Sequence, residues 1–355
     1  MKNLLILTHL KQEFKKYTNI YILKILLFFI IFLLFNIYSS YSFRKLILYA
    51  HRNKYKNNHK ISQLNKKDIK VCVCTVGKQE NKYVREFVNH YEKYGIDKIF
   101  LYDNNDKDGE NFEEVIKDYI DKGFVQINNW RGIKQPGIKT LMDCYKNYNQ
   151  AYDWFIFYDL DEYIYLKNIS NIKEFLNDKK FNKCNKIYLN WVMHTDNNLL
   201  KYDNRSLHDR FPELEPNAYK KDKNITGNGK TIMRGRIKNV RMKEVHYLDK
   251  SIPSCNSQGR IFRFIKGNIM NNLDFENYYI DHYYFKSLDE FIQKIKKGDT
   301  YFGHNKRFQM VRLRRYFNIN KITLKKLNYI EKNLGIDLSL YKKKLKNNKN
   351  YRKII

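Results

Sequence analysis

Cysteine is scarce in this chain. Cys72, Cys74, Cys144, Cys184 and Cys255 are too few for a disulfide-built scaffold, and their spacing fits no zinc site. Cys72 and Cys74 alternate with Val71, Val73 and Thr75 in a strand-like run, which places both on one face as buried small hydrophobes. A Cys184–Cys255 bridge is the pairing that merits a test. Acidic residues are also in deficit, 37 against 68 basic ones, for a formal net charge of +31. That balance invites a nucleic-acid or membrane-surface partner. The excess, however, is spread along the whole chain among abundant Asn, Ile, Tyr and Phe, so it reads as compositional bias on solvated faces. No nucleic-acid partner is expected. Internal repeats are absent.

What is present begins with an apolar run. Ile25 to Phe43 carries no charged residue; its length, about 19 residues or roughly 28 Å of helix, suits a bilayer core. Lys24 stands at one end and Arg44-Lys45 at the other, with Tyr21, Tyr38 and Tyr41 near the interfaces. No convincing cleavage site follows, so the run reads as an uncleaved membrane anchor behind a short basic tail, 1–24. Lysines and arginines flank both ends, and orientation stays undecided. Residues 44–69 form a stem, polar and basic without apolar periodicity from His51 to Ile69. The globular part starts at Lys70 and, at 43% hydrophobic residues for the whole chain, has the material for a large core.

From there the pattern alternates. Strands are expected at Lys70–Val76, Lys98–Tyr102, Phe124–Asn128 and Trp154–Tyr158. Helices fall between them at Glu80–Tyr94, Phe112–Asp121 and Lys139–Tyr152. Val84, Phe87, Val88 and Tyr91 form one face of the first helix, which Gly95 stops. Such a series argues an α/β fold, a mostly parallel sheet with helices on both faces. Beyond Asp161 the chain is less regular, with strand-like pieces at Lys186–Met193, Thr231–Ile237 and Glu244–Leu248. A helix opens on a capping box, Ser287 with Glu290, and runs to Gly298. The catalytic domain is expected over 70–310. The helical Leu324–Leu334 stretch and the basic tail then form a C-terminal extension over 311–355.

The most informative local feature is Asp159-Leu160-Asp161, just past Trp154-Phe155-Ile156-Phe157-Tyr158 and followed by Glu162. It puts two carboxylates at the C-terminal edge of a sheet, where open α/β folds bind ligands. Paired hard oxygens there suit Mn²⁺ or Mg²⁺ holding a diphosphate.

Several blocks resemble family 92 glycosyltransferases in the right order. Lys78-Gln79-Glu80-Asn81 through Glu86-Phe87, then Gly95-Ile96-Asp97 through Tyr102-Asp103-Asn104, are similar to the family's opening. Asp143-Cys144 and the run from Trp154 to Ile164 match its central block. Lys230 to Arg234 with Val245-His246, and His282-Tyr283 with Lys286-Ser287, resemble its later ones. The departures are Gln79 for Asn, Phe87 for Trp and Tyr163 for Phe. The segment from His194 to Lys223 resembles nothing recognisable. The resemblance implies a GT-A, Rossmann-like fold of the family 2-like kind, a nucleotide-sugar donor and a glycan or glycoconjugate acceptor. It further implies Mn²⁺ (or Mg²⁺) and a single-pass membrane protein of the Golgi and secretory pathway with a lumenal catalytic domain.

Within that frame Asp161 is the expected direct metal ligand, with Asp159 sharing the metal or holding ribose. His282, or failing it His246, completes the set, because imidazole suits Mn²⁺. Glu80 and Asp103 follow the first two strands, where acids accept bonds from base or ribose; Glu80 serves equally as a helix N-terminal carboxylate. Lys230 and Arg234 are candidates for the diphosphate oxygens. A general base for an inverting transfer is sought among Asp209, Glu213 and Asp281. Trp130 and Trp191 either stack on a sugar or pack in the core. Two other readings compete: an anchored basic protein binding nucleic acid or anionic lipid, and a D-x-D phosphohydrolase, against which Tyr163 and the late position of the strand both speak.

Overall fold

Strand and helix alternate through the first half of the domain as the periodicity predicts. The computed structural model describes residues 69–216, 228–262, 277–298 and 306–347. The expected tail, anchor and nearly all of the stem lie outside these; among the described residues no helix is long and apolar enough to cross a membrane. All described residues belong to one compact unit. Its elements open with β1 (Val71–Gly77), α1 (Asn81–Lys93), β2 (Lys98–Asp103), α2 (Phe112–Asp121), β3 (Val125–Asn129), α3 (Gly137–Tyr148) and β4 (Trp154–Phe157). β1 and β4 are covered on both faces, which is why they read as unbroken apolar runs. α1 buries Val84, Phe87, Val88 and Tyr91 against them, and Gly95 turns the chain at φ +76°, open to glycine at little cost.

The second half departs from the expectation. β5 (Glu162–Leu166), β6 (Lys186–Met193), β7 (Gly229–Arg234) and β10 (Tyr278–His282) complete one large sheet in the order β3-β2-β1-β4-β7-β6-β10-β5. The pairs β1–β2, β2–β3, β1–β4 and β6–β10 are parallel; β4–β7, β7–β6 and β10–β5 are antiparallel. The sheet is therefore mixed rather than mostly parallel. The first strands are joined by crossover helices, which require parallel neighbours, whereas the loops joining later strands impose no such direction. Short β8 (Ser254–Cys255) and β9 (Ile261–Phe262) extend from β6. The expected strand at Glu244–Leu248 is instead a turn closed by one bridge. The Glu244 carboxylate accepts from the amides of His246 (2.7 Å) and Tyr247 (3.1 Å) and folds the chain back.

Small helices α4 (Ile172–Leu176) and α5 (Leu207–Arg210) lie in the connections. α6 (Leu288–Lys297) has the expected capping box and stops at Gly298. α7 (Lys306–Ile319), α8 (Leu324–Leu334) and α9 (Ser339–Asn347) follow. α7 runs across the expected 310/311 boundary. Leu313, Tyr316, Phe317, Leu327 and Ile330 join the same hydrophobic core as β1 and α1, so α7 and α8 are packed into the domain. Asp196 ties them in: fully buried, it accepts from Lys326 Nζ at 2.6 Å and from the Tyr316 hydroxyl. Asp196→Ala would leave the buried Lys326 ammonium without its counter-charge. It is expected to cost about 3–5 kcal/mol in urea unfolding.

The cysteines follow the expectation at Cys72 and in the Cys184–Cys255 pair, and depart from it at Cys74. Cys74 bridges to Cys144 and Cys184 to Cys255, leaving only Cys72 free and buried. Cys72 is the small hydrophobe the alternation predicts. Cys74 is not: α3 crosses β1 with Cys144 facing it, a long-range approach that no local spacing reveals.

Candidate active site

Side-chain alternation sorts the residues near the C-terminal edge of β4 into two faces. Antiparallel partners share a face, so His282 of β10 stands beside Glu162 of β5. Met193, its parallel partner in β6, is at the same level, and Trp191 lies two residues away on Met193's side of the strand. The turn from Asp159 to Glu162, closed by Glu162 N–H to Asp159 O (3.0 Å), brings Asp161 onto this face as well. Donor atoms of Asp161, Glu162 and His282 all lie within 4.8 Å of one another. They stand at and beneath the wall of an open cleft of about 600 Å³ between the sheet edge, the turn at Lys243–His246, and helices α6 and α7.

Charge in the cleft is unevenly shared. Glu80, Asp159, Asp161 and Glu244 face it, against Lys78, Lys230, Lys243, Lys294, Lys297, Arg312 and Arg315. Asp159 is half exposed and holds Lys230 Nζ at 2.7 Å. Asp161 is buried, with Lys294 Nζ on Oδ2 at 2.6 Å and His282 Nε2 at 3.5 Å from Oδ1. Burial opposes its ionisation, but Lys294 and His282 outweigh that and hold the carboxyl well below the usual range. Glu80 accepts from Lys286 (2.8 Å) and Lys297 (2.7 Å). Burial again pushes up, the two lysines win, and its pKa falls to about 2. Glu80 thus occupies the N-cap position of α1 without capping it; its side chain turns into the cleft instead.

The donor set suits a hard or borderline dication: two carboxylates and an imidazole. Glu162 is fully buried, and burial raises its pKa well above the usual range despite Lys230 at 3.6 Å. Its Oε1 has no hydrogen bond among the described residues. His282 is lowered to about 4 by burial, with Asp161 opposing, so it is neutral at pH 7 and able to donate a lone pair. A buried carboxyl oxygen with no hydrogen bond among the described residues, beside a neutral imidazole, is a pair of groups that a cation can satisfy, the carboxyl giving up its proton as it binds. Of the expected trio, Asp161 and His282 fall in this cluster with Glu162, while Asp159 lines the same cleft, paired with Lys230.

The other predicted residues divide. Lys230 lines the cleft, as does His246, whose Nδ1 lies 3.0 Å from Gly229 O and whose Nε2 is 3.7 Å from Glu244. A Cβ at Gly229 would meet Leu189 O at 2.0 Å, so only glycine lets β7 start so close to β6. Asp103 is buried at the end of β2, bound to Arg131 (2.9 Å) and to the Asn105 amide (2.9 Å); it does not line the cleft.

Arg234 is at the far end of β7, four residues and about 13 Å of strand from Lys230. Its guanidinium bonds Cys184 O (2.7 Å) and Phe181 O (3.0 Å) and covers Trp154. It cannot also bind a diphosphate there. Asp281 points to the opposite face, 2.8 Å from His194 Nε2. Asp209 bonds Ser206 at the start of α5, and Glu213 is exposed; neither faces the cleft. Trp130 packs edge-on against Tyr102. Trp191 lies between His246 and His282 at ring distances of 5.0 and 4.3 Å, mostly packed but exposing an edge to the cleft.

Sequence reasoning missed Arg312, Arg315, Lys294 and Glu215. The first two sat in a stretch read as an appended basic extension. Glu215 lies opposite Met193, its amide donating to Met193 O at 2.9 Å, and so shares the cleft side of the sheet. It is 4% exposed, and burial raises it to about 7, with Arg315 opposing. A carboxyl raised on folding loses stability as pH climbs from the unfolded value through the folded one. Glu215→Gln is therefore expected to match wild type at pH 4. At pH 8 it should be more stable by about 2–3 kcal/mol, read by urea melts at both pH values.

Comparison with known proteins identifies the class. The family model described as glycosyltransferase family 92 matches residues 67–321, and the chain belongs to that family. Among curated relatives, a family 92 protein of Ricinus communis is 26% identical over 109 residues, 30% of this chain and 19% of its own. One of Oryza sativa subsp. japonica is 24% identical over 110 residues, 30% and 18%. The chain thus matches about a fifth of the length of either relative. Of solved structures, TarS of S. aureus gives a TM-score of 0.32 at 14% identity, covering 70% of this chain and 43% of that one. The mannosyltransferase PcManGT of Pyrobaculum calidifontis, in complex with GDP-Man and Mn²⁺, gives 0.27 at 8%, covering 42% and 44%. Scores this low carry no argument about ligands.

Proposed function

We propose that this protein is a metal-dependent glycosyltransferase of GT-A type, moving a sugar from a nucleotide-sugar donor to a glycan or glycoconjugate acceptor. The observation that supports it is the cluster of Asp161, Glu162 and His282 beside a cleft whose lysines and arginines outnumber its acids. These three residues would hold Mn²⁺ or Mg²⁺, which supplies Lewis-acid stabilisation of a departing diphosphate. Lys230 and Arg315 add fixed positive charge along the same wall, suited to phosphate oxygens. Glu80, kept ionised by its lysines, offers acceptor oxygens to hydroxyl groups of the donor. Trp191 presents an edge beside both imidazoles and limits how deep a sugar ring enters.

The apolar run at 25–43 is proposed as the membrane anchor, with the catalytic domain on the secretory, lumenal side. Two disulfides favour an oxidising compartment. Thermal unfolding of the full chain with UDP, GDP and other nucleoside diphosphates plus Mn²⁺ tests the donor assignment. One nucleotide at a hundred times its dissociation constant should add about 2.7 kcal/mol of stability, and EDTA should remove most of it. No shift with any nucleotide, and no nucleotide-sugar consumed, would defeat the reading.

A further inference from the structure

We propose that Lys294 is an exchangeable cation, sitting on Asp161 while the metal site is empty and moving to the donor's diphosphate when metal and donor bind. The inference rests on the reading of the cleft given above and adds a role for a residue of α6.

Oδ2 of Asp161 already holds a cation, Lys294 Nζ at 2.6 Å, while Oδ1 faces the His282 imidazole, its Nε2 3.5 Å away. A dication binding this carboxylate would stand within a few ångström of the ammonium, and the two would repel. Lys294 has somewhere to go. Its side chain is 20% exposed against 9% for Asp161, and both residues line the cleft. It already spans to Tyr284 O at 3.2 Å and rides over the Tyr284 ring at 3.9 Å, and Tyr284 lines the cleft. A four-carbon stem with a compact charge is suited to changing partners, and phosphate oxygens are a strong alternative partner for it.

Lys230 also approaches the cluster, 3.6 Å from Glu162, but is 2% exposed; Lys294 is 20% exposed, and two further paired lysines differ from it in other ways. Lys326 is 2% exposed on a 1% exposed Asp196, a sealed pair with no solvent side. Lys297, three residues on along α6, is anchored twice, to Glu80 and to Lys78 O, both at 2.7 Å. Lys294, unlike Lys326 and Lys297, touches a residue of the proposed metal cluster. The consequence is thermodynamic coupling. Metal pushes the lysine off Asp161, diphosphate gives it a new partner, and each ligand therefore strengthens the other.

Mn²⁺ binding to the full chain, followed by the EPR signal of free Mn²⁺ with no nucleotide present, tests this directly. Lys294→Met is expected to bind Mn²⁺ about tenfold more tightly than wild type, and to bind UDP or GDP under saturating Mn²⁺ about tenfold more weakly. Lys294→Arg keeps the charge and should stay within about threefold of wild type for Mn²⁺. Asp161→Asn should abolish Mn²⁺ binding with or without Lys294. An unchanged or weaker Mn²⁺ affinity in Lys294→Met, with its melt intact, overturns the exchange and leaves Lys294 a structural partner of Asp161. Failure of every variant to bind Mn²⁺ also overturns it. Whether wild type still consumes a nucleotide-sugar then decides separately on the proposed function.

Discussion

Asp161→Ala is expected to lower nucleotide-sugar turnover by about three orders of magnitude, the scale seen when a group that stabilises a developing charge is removed. Its carboxylate links β10 and α6 just ahead of β5 at the cleft, touching His282 and Lys294 and preceding Glu162. Without it the remaining donor set is Glu162 and His282, one oxygen ligand short. The Lys294 ammonium would persist beside Tyr284 O, partly solvated, so the fold is expected to survive with a modest loss of stability. Asp159→Ala provides the comparison. That carboxylate is half exposed and paired with Lys230, and its loss should cost about tenfold, by the weaker interaction of exposed charges. Steady-state kinetics of both variants, beside thermal melts, separate the cases. Equal activity losses would mean the i, i+2 pair acts together. Full activity in Asp161→Ala would remove Asp161 from the chemistry.

How much of this could be read in the sequence follows from where each signal resides. The parallel half was legible because helix and strand periodicities are local. β6 and α8 were bounded as Lys186–Met193 and Leu324–Leu334, and α6 was announced by Ser287 and Glu290. β5 and β10 were not seen. Glu162–Leu166 follows directly on the acidic turn, and Tyr278–His282 is five residues of mixed polarity; their strand character comes from pairing with each other across more than a hundred residues. Register across such a distance has no local signature. The place of Glu162 in the cluster was hidden for the same reason. Spacing i, i+2 favours Asp159 with Asp161 if the strand simply continues. The chain instead turns at Leu160, and the facing residue becomes Glu162, whose partner in β10 is His282. For the same reason the sequence did not show that Asp281, one residue from His282, faces the other side of the sheet and His194.

The cysteines allow the test with the largest effect on stability. Each bridge closes a loop of about 70 residues, and chain-entropy arguments then assign about 4 kcal/mol to each. Replacing Cys184 and Cys255 together by alanine is expected to lower the melting temperature by about 10 °C. The effect should not be uniform. Cys255 lies in β8, which pairs with Ile187 of β6, and with two-residue β9 it is the only sheet pairing in the described chain between β7 and β10. That stretch carries Lys243 to His246 to the cleft wall, so nucleotide affinity should fall along with stability. Cys74–Cys144 instead joins β1 to α3 behind the sheet edge; its double alanine variant is expected to lose stability while keeping nucleotide affinity in the folded fraction. Thiol titration in denaturant decides whether the bridges form at all. Protein recovered from an oxidising compartment should show one reactive thiol, that of Cys72, and five after reduction. Five thiols without reductant would remove both bridges, and with them the support they lend to a lumenal catalytic domain.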